Sequence, residues 1–252
     1  MVRMEEEYRA GRFIVDAIET TEGNLMFMRD EGLLQPDNSP VLKNYPDDAK
    51  EDAGKGLYYW ALARESYIGF TYNKNLLSKA AMPKNFDGLL HPKLKGKWAS
   101  ASARQPAPRS SGAMVKAKGE EFVKKLREQQ IKLYSIDAPA LEWVPMGLVP
   151  NNVGSAAVAL NPPHPHAAVL MADLLLGPDG RKVLEKFCYG SATKSRPFKR
   201  WRPERGLTTE KYEKEIDHWE KLLKQVGRKQ PFEPPSRLSL KLPVADRFDG
   251  DS

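Results

Sequence analysis

Two short polar turns carry the residue types that hold small anions. The first is Ser110-Ser111-Gly112-Ala113, which follows a loop fixed by Pro106 and Pro108. Read as a helix start, it leaves backbone N–H groups without intrahelical partners at the positive end of the helix dipole, and a serine hydroxyl adds a donor. Gly112 there would let a ligand approach the backbone where a side chain would block it. Plain capping by Ser110 or Ser111 is the more ordinary use of the same residues. The second turn is Glu19-Thr20-Thr21-Glu22-Gly23-Asn24. It follows an apolar strand, the place where open α/β sheets put ligands, although Thr20 or Thr21 also suits as the cap of a helix beginning near Leu25.

Other candidates are weaker. His164 and His166 flank a rigid proline, which fits a helix cap better than a metal site. Tyr58, Tyr59 and Tyr67 read as strand residues, though phenolate oxygens suit ferric iron. Cys188 is the only cysteine, so there is no internal disulfide and no zinc-type spacing. Neither a G-x-x-x-x-G-K loop nor a G-x-G-x-x-G fingerprint occurs, and no nucleophile-base arrangement has a local signature. An enzyme would have to rely on Glu19 or Glu22 alone. No cofactor is expected.

The elements that must position these turns alternate. Phe13 to Asn24 reads as a buried strand entering a turn, and Leu25 to Leu34 as a helix ending near Gly32. The Pro/Asp/Gly-rich stretch 36–56 reads as a surface loop, and Leu57 to Asn73 as a pair of strands. A short helix at "PKNFDGLL", a strand at Trp98 to Ala103, a helix from the Ser-Ser-Gly turn to about Gln129 and a strand at Ile131 to Asp137 follow. Val153 to Leu160 has the small and β-branched residues of a packed strand. Pro165, Gly177 and Pro178 punctuate two helices between His164 and Phe187. A last helix, capped by Thr208 or Thr209, lines up Tyr212, Ile216, Trp219 and Leu223 to clamp across a lobe. From Lys229 the Pro-rich charged tail is expected to be disordered. This is an α/β pattern.

At 252 residues the chain suits one large domain or two lobes. Its formal net charge is +7, and much of the excess lies in "KSRPFKRWRPER", Lys194 to Arg205. That run reads as a solvated basic edge. A nucleic-acid surface is the rival reading, but no nucleic-acid motif accompanies it. No apolar run is long enough to span a bilayer, and "MVRMEEEYRAGRF" is too acidic and polar for a signal peptide.

Three phrases together carry a resemblance: "AGRFIVDAIETT…EGLLQP", "YIGFTYNKNLLSKAAMPKNFDGLLHPKLKGKWASASA" and "NPPHPHAAVLMADLLLGPDGRKVLEKFCYGSA". They are similar to bacterial extracellular solute-binding proteins of the ferric iron ABC-transporter type. The resemblance implies a type 2 periplasmic-binding-protein fold, two α/β lobes around a cleft. Residues 1–73 with 153–228 would form the first lobe, 74–152 a shortened second lobe, and 229–252 a tail. It implies a non-enzymatic monomer in the periplasm that captures a small anion or a ferric complex and presents it to a membrane permease, with no nucleic acid involved. By the same resemblance Ser111-Gly112-Ala113, with Ser110, would hold the anion. Thr20, Thr21 and Glu22 would line the cleft, and Asn152 would mark the returning hinge strand. The family's first β-α unit is not seen ahead of this chain's first residues. Its iron-ligating tyrosine segment is not found between Asp137 and Trp143, and Tyr58 and Tyr59 lie elsewhere in the pattern. A truncated remnant without ligand affinity is therefore the other reading of the same resemblance.

Overall fold

The computed structural model describes residues 2–67, 70–71, 78–97, 99–101, 107–134, 143–144, 148–196 and 198–229. The expected tail and most of the Asp137 to Trp143 stretch lie outside these residues.

The elements run α1 (Val2–Arg9), β1 (Ala17–Thr20), α2 (Glu22–Asp30), β2 (Leu34–Gln35), β3 (Lys50–Gly54), β4 (Leu57–Tyr67), β5 (Phe70–Thr71) and β6 (Ala99–Ala101). Then come α3 (Ala107–Lys118), α4 (Glu120–Lys125), β7 (Lys132–Tyr134), β8 (Trp143–Val144) and β9 (Leu148–Ala159). The chain ends with α5 (Pro165–Leu176), α6 (Pro178–Lys186), β10 (Lys199–Trp201), α7 (Thr209–Val226) and β11 (Arg228–Lys229).

Strand β9 organises the first of two cores. It pairs antiparallel with β1, β2 and β4 and parallel with β10, and β3 closes the far side of β4 through the tight Gly54-Lys55-Gly56 turn, all three at positive φ. The sheet is open, not a closed barrel. Trp60, Leu25, Met26 and Ala157 are buried on the side of the sheet covered by α1, α2 and α7. Val158, Ala168 and Ala172 pack under α5 on the other side. The second core gathers Phe86, Met114, Phe122, Val123, Leu126 and Ile131 beside the parallel set β6, β7 and β11. Strands β4 and β9, paired from Ala61↔Ala156 to Tyr67↔Asn151, run from the first core toward the second.

Helix α7 joins both cores along one face. Tyr212 and Ile216 sit in the first, and Leu222, Leu223 and Val226 in the second. Its apolar spacing carries this arrangement, and Thr208 caps it by accepting from the Lys211 amide. The expected division assigned 153–228 to the first lobe, whereas the last turns of α7 and β11 pack in the second core.

Four other expectations differ. Stretch 36–56 is not simply a surface loop: it contains β3, and Leu42, Tyr45 and Ala49 are buried. Helix α2 begins at Glu22, three residues earlier than Leu25, because Thr21 already takes the N-cap position. The helix expected to run to Gln129 breaks at Gly119, whose φ of 81° no helix interior allows. Finally, α3 starts at Ala107, so Ser110, Ser111 and Gly112 lie inside the helix and not at its cap. Pro108 in the first turn explains this, since a missing N–H costs nothing there.

Tyr45 gives the first core a measurable signature. It is buried, it donates to the Leu176 carbonyl at 2.9 Å, and burial pushes its phenol up to about 12, with Arg181 over the ring acting the other way. A folded-state pKa raised above the unfolded value of 10.0 means that this stability is intact below pH 10 and is lost as pH rises through the folded value. Alkaline unfolding should therefore steepen between about pH 10 and 12, by roughly 2–3 kcal/mol in all. Tyr45→Phe should remove that slope in urea unfolding measured against pH.

Candidate functional site

Both polar turns meet the same face of α7. At the end of β1, the ring of Tyr212 lies over Gly23, where a Cβ would come within 2.7 Å of Cε1. Arg109 of α3, buried, donates from Nη2 to the Tyr212 hydroxyl at 2.8 Å. Two helical turns further along, Trp219 covers Gly112, and its edge meets Trp201 at 5.2 Å between centroids. The start of α2 and the first half of α3 are thus brought together on the side of the sheet that faces the second core.

The members of the two turns fare differently. Ser111, Gly112 and Ala113 are buried and Ser110 is half-buried. A Cβ on Gly112 would lie 2.6 Å from Trp219 Cε3, so the close approach that glycine permits is used by an indole ring. This corrects the reason for Gly112. Thr20 and Thr21 are half-exposed. Asn24 donates to Thr20 Oγ1 at 2.8 Å, and Thr21 occupies the N-cap of α2 without a capping bond from its side chain. Glu22 is buried and held by Arg205 at 2.9 Å. The backbone of Asn152 pairs with Ser66 in the β4–β9 ladder, inside a strand that begins at Leu148 and not, as expected, just before one that begins at Val153.

Sequence reading missed Ser155. It is fully buried, and its Oγ has no hydrogen-bond partner among the described residues. Directly opposed residues on antiparallel strands share a face, and Ser155 is opposed to Thr20. Ser155 therefore stands beside Thr20, two residues before the first residue of α2. The available signal was one hydroxyl inside the small apolar run "VGSAAVAL".

The basic run is a solvated edge only at Lys194 and Lys199; its arginines turn inward. Glu65 of β4 is wholly buried and takes Arg200 Nη1 and Arg202 Nη2 at 2.8 Å each, as well as the Tyr67 hydroxyl at 2.7 Å. Arg202 also donates to the Asp48 carbonyl at 2.8 Å. Arg205 joins Glu22 and Glu51, and Glu51 also holds Arg29. Strand β10 and the turn after it lay Arg200, Arg202 and Arg205 inward over the buried carboxylates Glu65, Glu22 and Glu51. Burying a lone charge costs far more than a satisfied pair. These three arginines are thus taken up by carboxylates, whereas Lys194 and Lys199 of the same run remain exposed.

Among the described residues no group of three or more His, Cys, Asp or Glu side chains converges as a metal site would require. His164 sits at the N-cap of α5 and meets Asp16 at 3.0 Å, and its hydrogen bonds hold the Asp16 carboxyl below the ordinary range. A recess of about 420 Å³ lined by Lys95, Arg127, Gln225 and neighbours opens at the far end of α7, away from both turns.

Comparison with known proteins gives three findings. A family described as bacterial extracellular solute-binding protein matches residues 9–146. Iron-bound HitA from Pseudomonas aeruginosa is 18% identical and superposes with a TM-score of 0.64, over 90% of this chain and 87% of that one. The periplasmic binding protein AfuA from Actinobacillus pleuropneumoniae, with fructose-6-phosphate bound, is 16% identical with a TM-score of 0.61, over 88% and 86%. IdiA (FutA) from Trichodesmium, with iron and citrate, is 15% identical with a TM-score of 0.62, over 89% and 86%. At these identities the shared property is the type 2 periplasmic-binding-protein fold. No curated protein matches the chain.

Proposed function

We propose, from the premise that this chain belongs to the family of bacterial extracellular solute-binding proteins, that it is the monomeric, non-enzymatic receptor of an ABC transporter. In this reading it works in the periplasm and captures a small anion, or a metal carried by one such as a ferric complex, between two lobes. It then presents the solute to a membrane permease. The lobes would be 1–73 with most of 153–228, and 74–152, hinged on β4 and β9.

The observation that carries the reading is the Ser155 hydroxyl, buried without a partner on a residue opposed to Thr20, which stands two residues before the first residue of α2. Thr20, Thr21 and Ser155 offer donors there, and the α2 dipole favours negative charge. Glu22 is neutralised by Arg205, so its carboxylate does not cancel that preference. Asn152 stands two residues before Gly154 on the same strand and is assigned to the mouth of the cleft. Ser110 to Ala113 support the far wall through α7 and do not need to touch the solute.

Thermal-shift titration with phosphate, fructose 6-phosphate, citrate and ferric citrate tests the reading. At least one should stabilise the protein saturably. Ser155→Ala removes an orphaned hydroxyl, so unliganded stability should hold or rise slightly, while affinity falls roughly tenfold for one lost hydrogen bond. Unchanged affinity in Ser155→Ala would move the solute elsewhere.

A further inference from the structure

Of the seven large apolar side chains exposed among the described residues, four lie on α5 and α6 and a fifth, Phe187, is the C-cap of α6, a concentration that single exposed residues elsewhere do not show. Leu170 and Leu174 stand one turn apart on α5 with Met171 beside them, and Val183 on α6 stands one turn before its C-cap, Phe187. Leu170 is 70% exposed and Phe187 73%. The inner side of α5 is already apolar, with Ala168, Ala172 and Leu176 packed against the sheet. A helix apolar on both sides is normally covered on both.

What surrounds the patch identifies the cover. On α6, Lys182 and Lys186 form the row next to Val183 and Phe187, and exposed Lys194 lies beyond the end of the helix. The acidic groups around the patch are part-exposed Asp173 on α5, next to Leu174, with Asp179, 3.7 Å from Lys182, and Glu185, 2.6 Å from Lys194. An apolar row flanked by lysines, as on α6, is the pattern of helices that lie in a lipid interface, and the apolar row of α5 extends it. A second copy fits less well. Two chains of net charge +7 would bring basic rims together. The two helices cover a face of about 18 by 20 Å, short of the roughly 800 Å² that each partner of a stable dimer buries. A bilayer surface imposes no such minimum and attracts the basic rim.

We propose that the α5–α6 face adsorbs to an anionic lipid surface, with Leu170, Leu174 and Phe187 entering the headgroup region and the lysines facing the lipid phosphates. Co-sedimentation of the full chain with vesicles of phosphatidylglycerol and phosphatidylcholine tests it, with pure phosphatidylcholine as the contrast. Binding should need the anionic lipid and should weaken as added salt shortens the Debye length. The Leu170→Ser/Phe187→Ser double variant should keep its melting temperature, since both side chains are exposed, and lose roughly tenfold or more in vesicle affinity. Lys182→Glu/Lys186→Glu should abolish the preference for phosphatidylglycerol. No co-sedimentation with anionic vesicles, or equal binding by the serine variant, would overturn the proposal. So would a lipid-free dimer that the serine variant dissociates, which would assign the face to a second copy.

Discussion

Replacing Arg202 by leucine should lower the unfolding free energy by about 3–5 kcal/mol, the cost of leaving a buried carboxylate short of its partner. Glu65 is fully buried, and Arg202 supplies a guanidinium contact to it at 2.8 Å beside that of Arg200. The variant also loses the bond to the Asp48 carbonyl that ties β10 to the segment before β3. An exposed pair makes the contrast: Lys214 meets Glu210 at 2.5 Å on the outside of α7, and Lys214→Ala should leave the urea midpoint essentially unchanged. Removing both charges by Glu65→Leu with Arg202→Leu should cost less than the two single changes added together, because the groups share one network. Urea midpoints at constant m-value read all three. A loss below about 1 kcal/mol for Arg202→Leu would mean that the basic run is a solvated edge after all.

The second large effect concerns Gly112. Alanine would normally improve a helix interior by about 1 kcal/mol over glycine. Here its Cβ would lie 2.6 to 2.8 Å from three atoms of the Trp219 indole. That ring is buried and is backed by Trp201, so it has little room to withdraw. Overpacking of this kind costs about 1–3 kcal/mol. It should outweigh the propensity gain, leaving Gly112→Ala destabilised and Gly112→Val more so, at roughly 3 kcal/mol. Trp219→Leu combined with Gly112→Ala should recover part of the loss. Urea midpoints followed by far-ultraviolet circular dichroism measure this in all the variants, the one lacking Trp219 included. A neutral or stabilised Gly112→Ala would return this glycine to the role of a backbone opened for a ligand.

Sequence alone reached most of the framework where punctuation was local. Pro165, Gly177 and Pro178 bound α5 and α6, and the spacing of Tyr212, Trp219 and Leu223 defined α7. The stretch holding β3 was read as surface because Pro40 and Pro46 break any periodicity, so burial of Leu42, Tyr45 and Ala49 leaves no pattern. The basic run was misread for a different reason. Its charge is visible in the sequence, but Glu65 is 135 residues from Arg200, and only the fold joins them. Both polar turns were legible as residue types. Which of them a solute can reach was not, because the packing of Trp219 on Gly112 and the pairing of Ser155 with Thr20 are tertiary facts.

Isothermal titration of the intact chain with the same four solutes tests the central claim most directly. The account expects a single saturable site for at least one anion, lost or weakened by roughly tenfold in Thr21→Val and Ser155→Ala alike. Heats that stay at the dilution baseline for all four, or binding that both variants leave untouched, would contradict it.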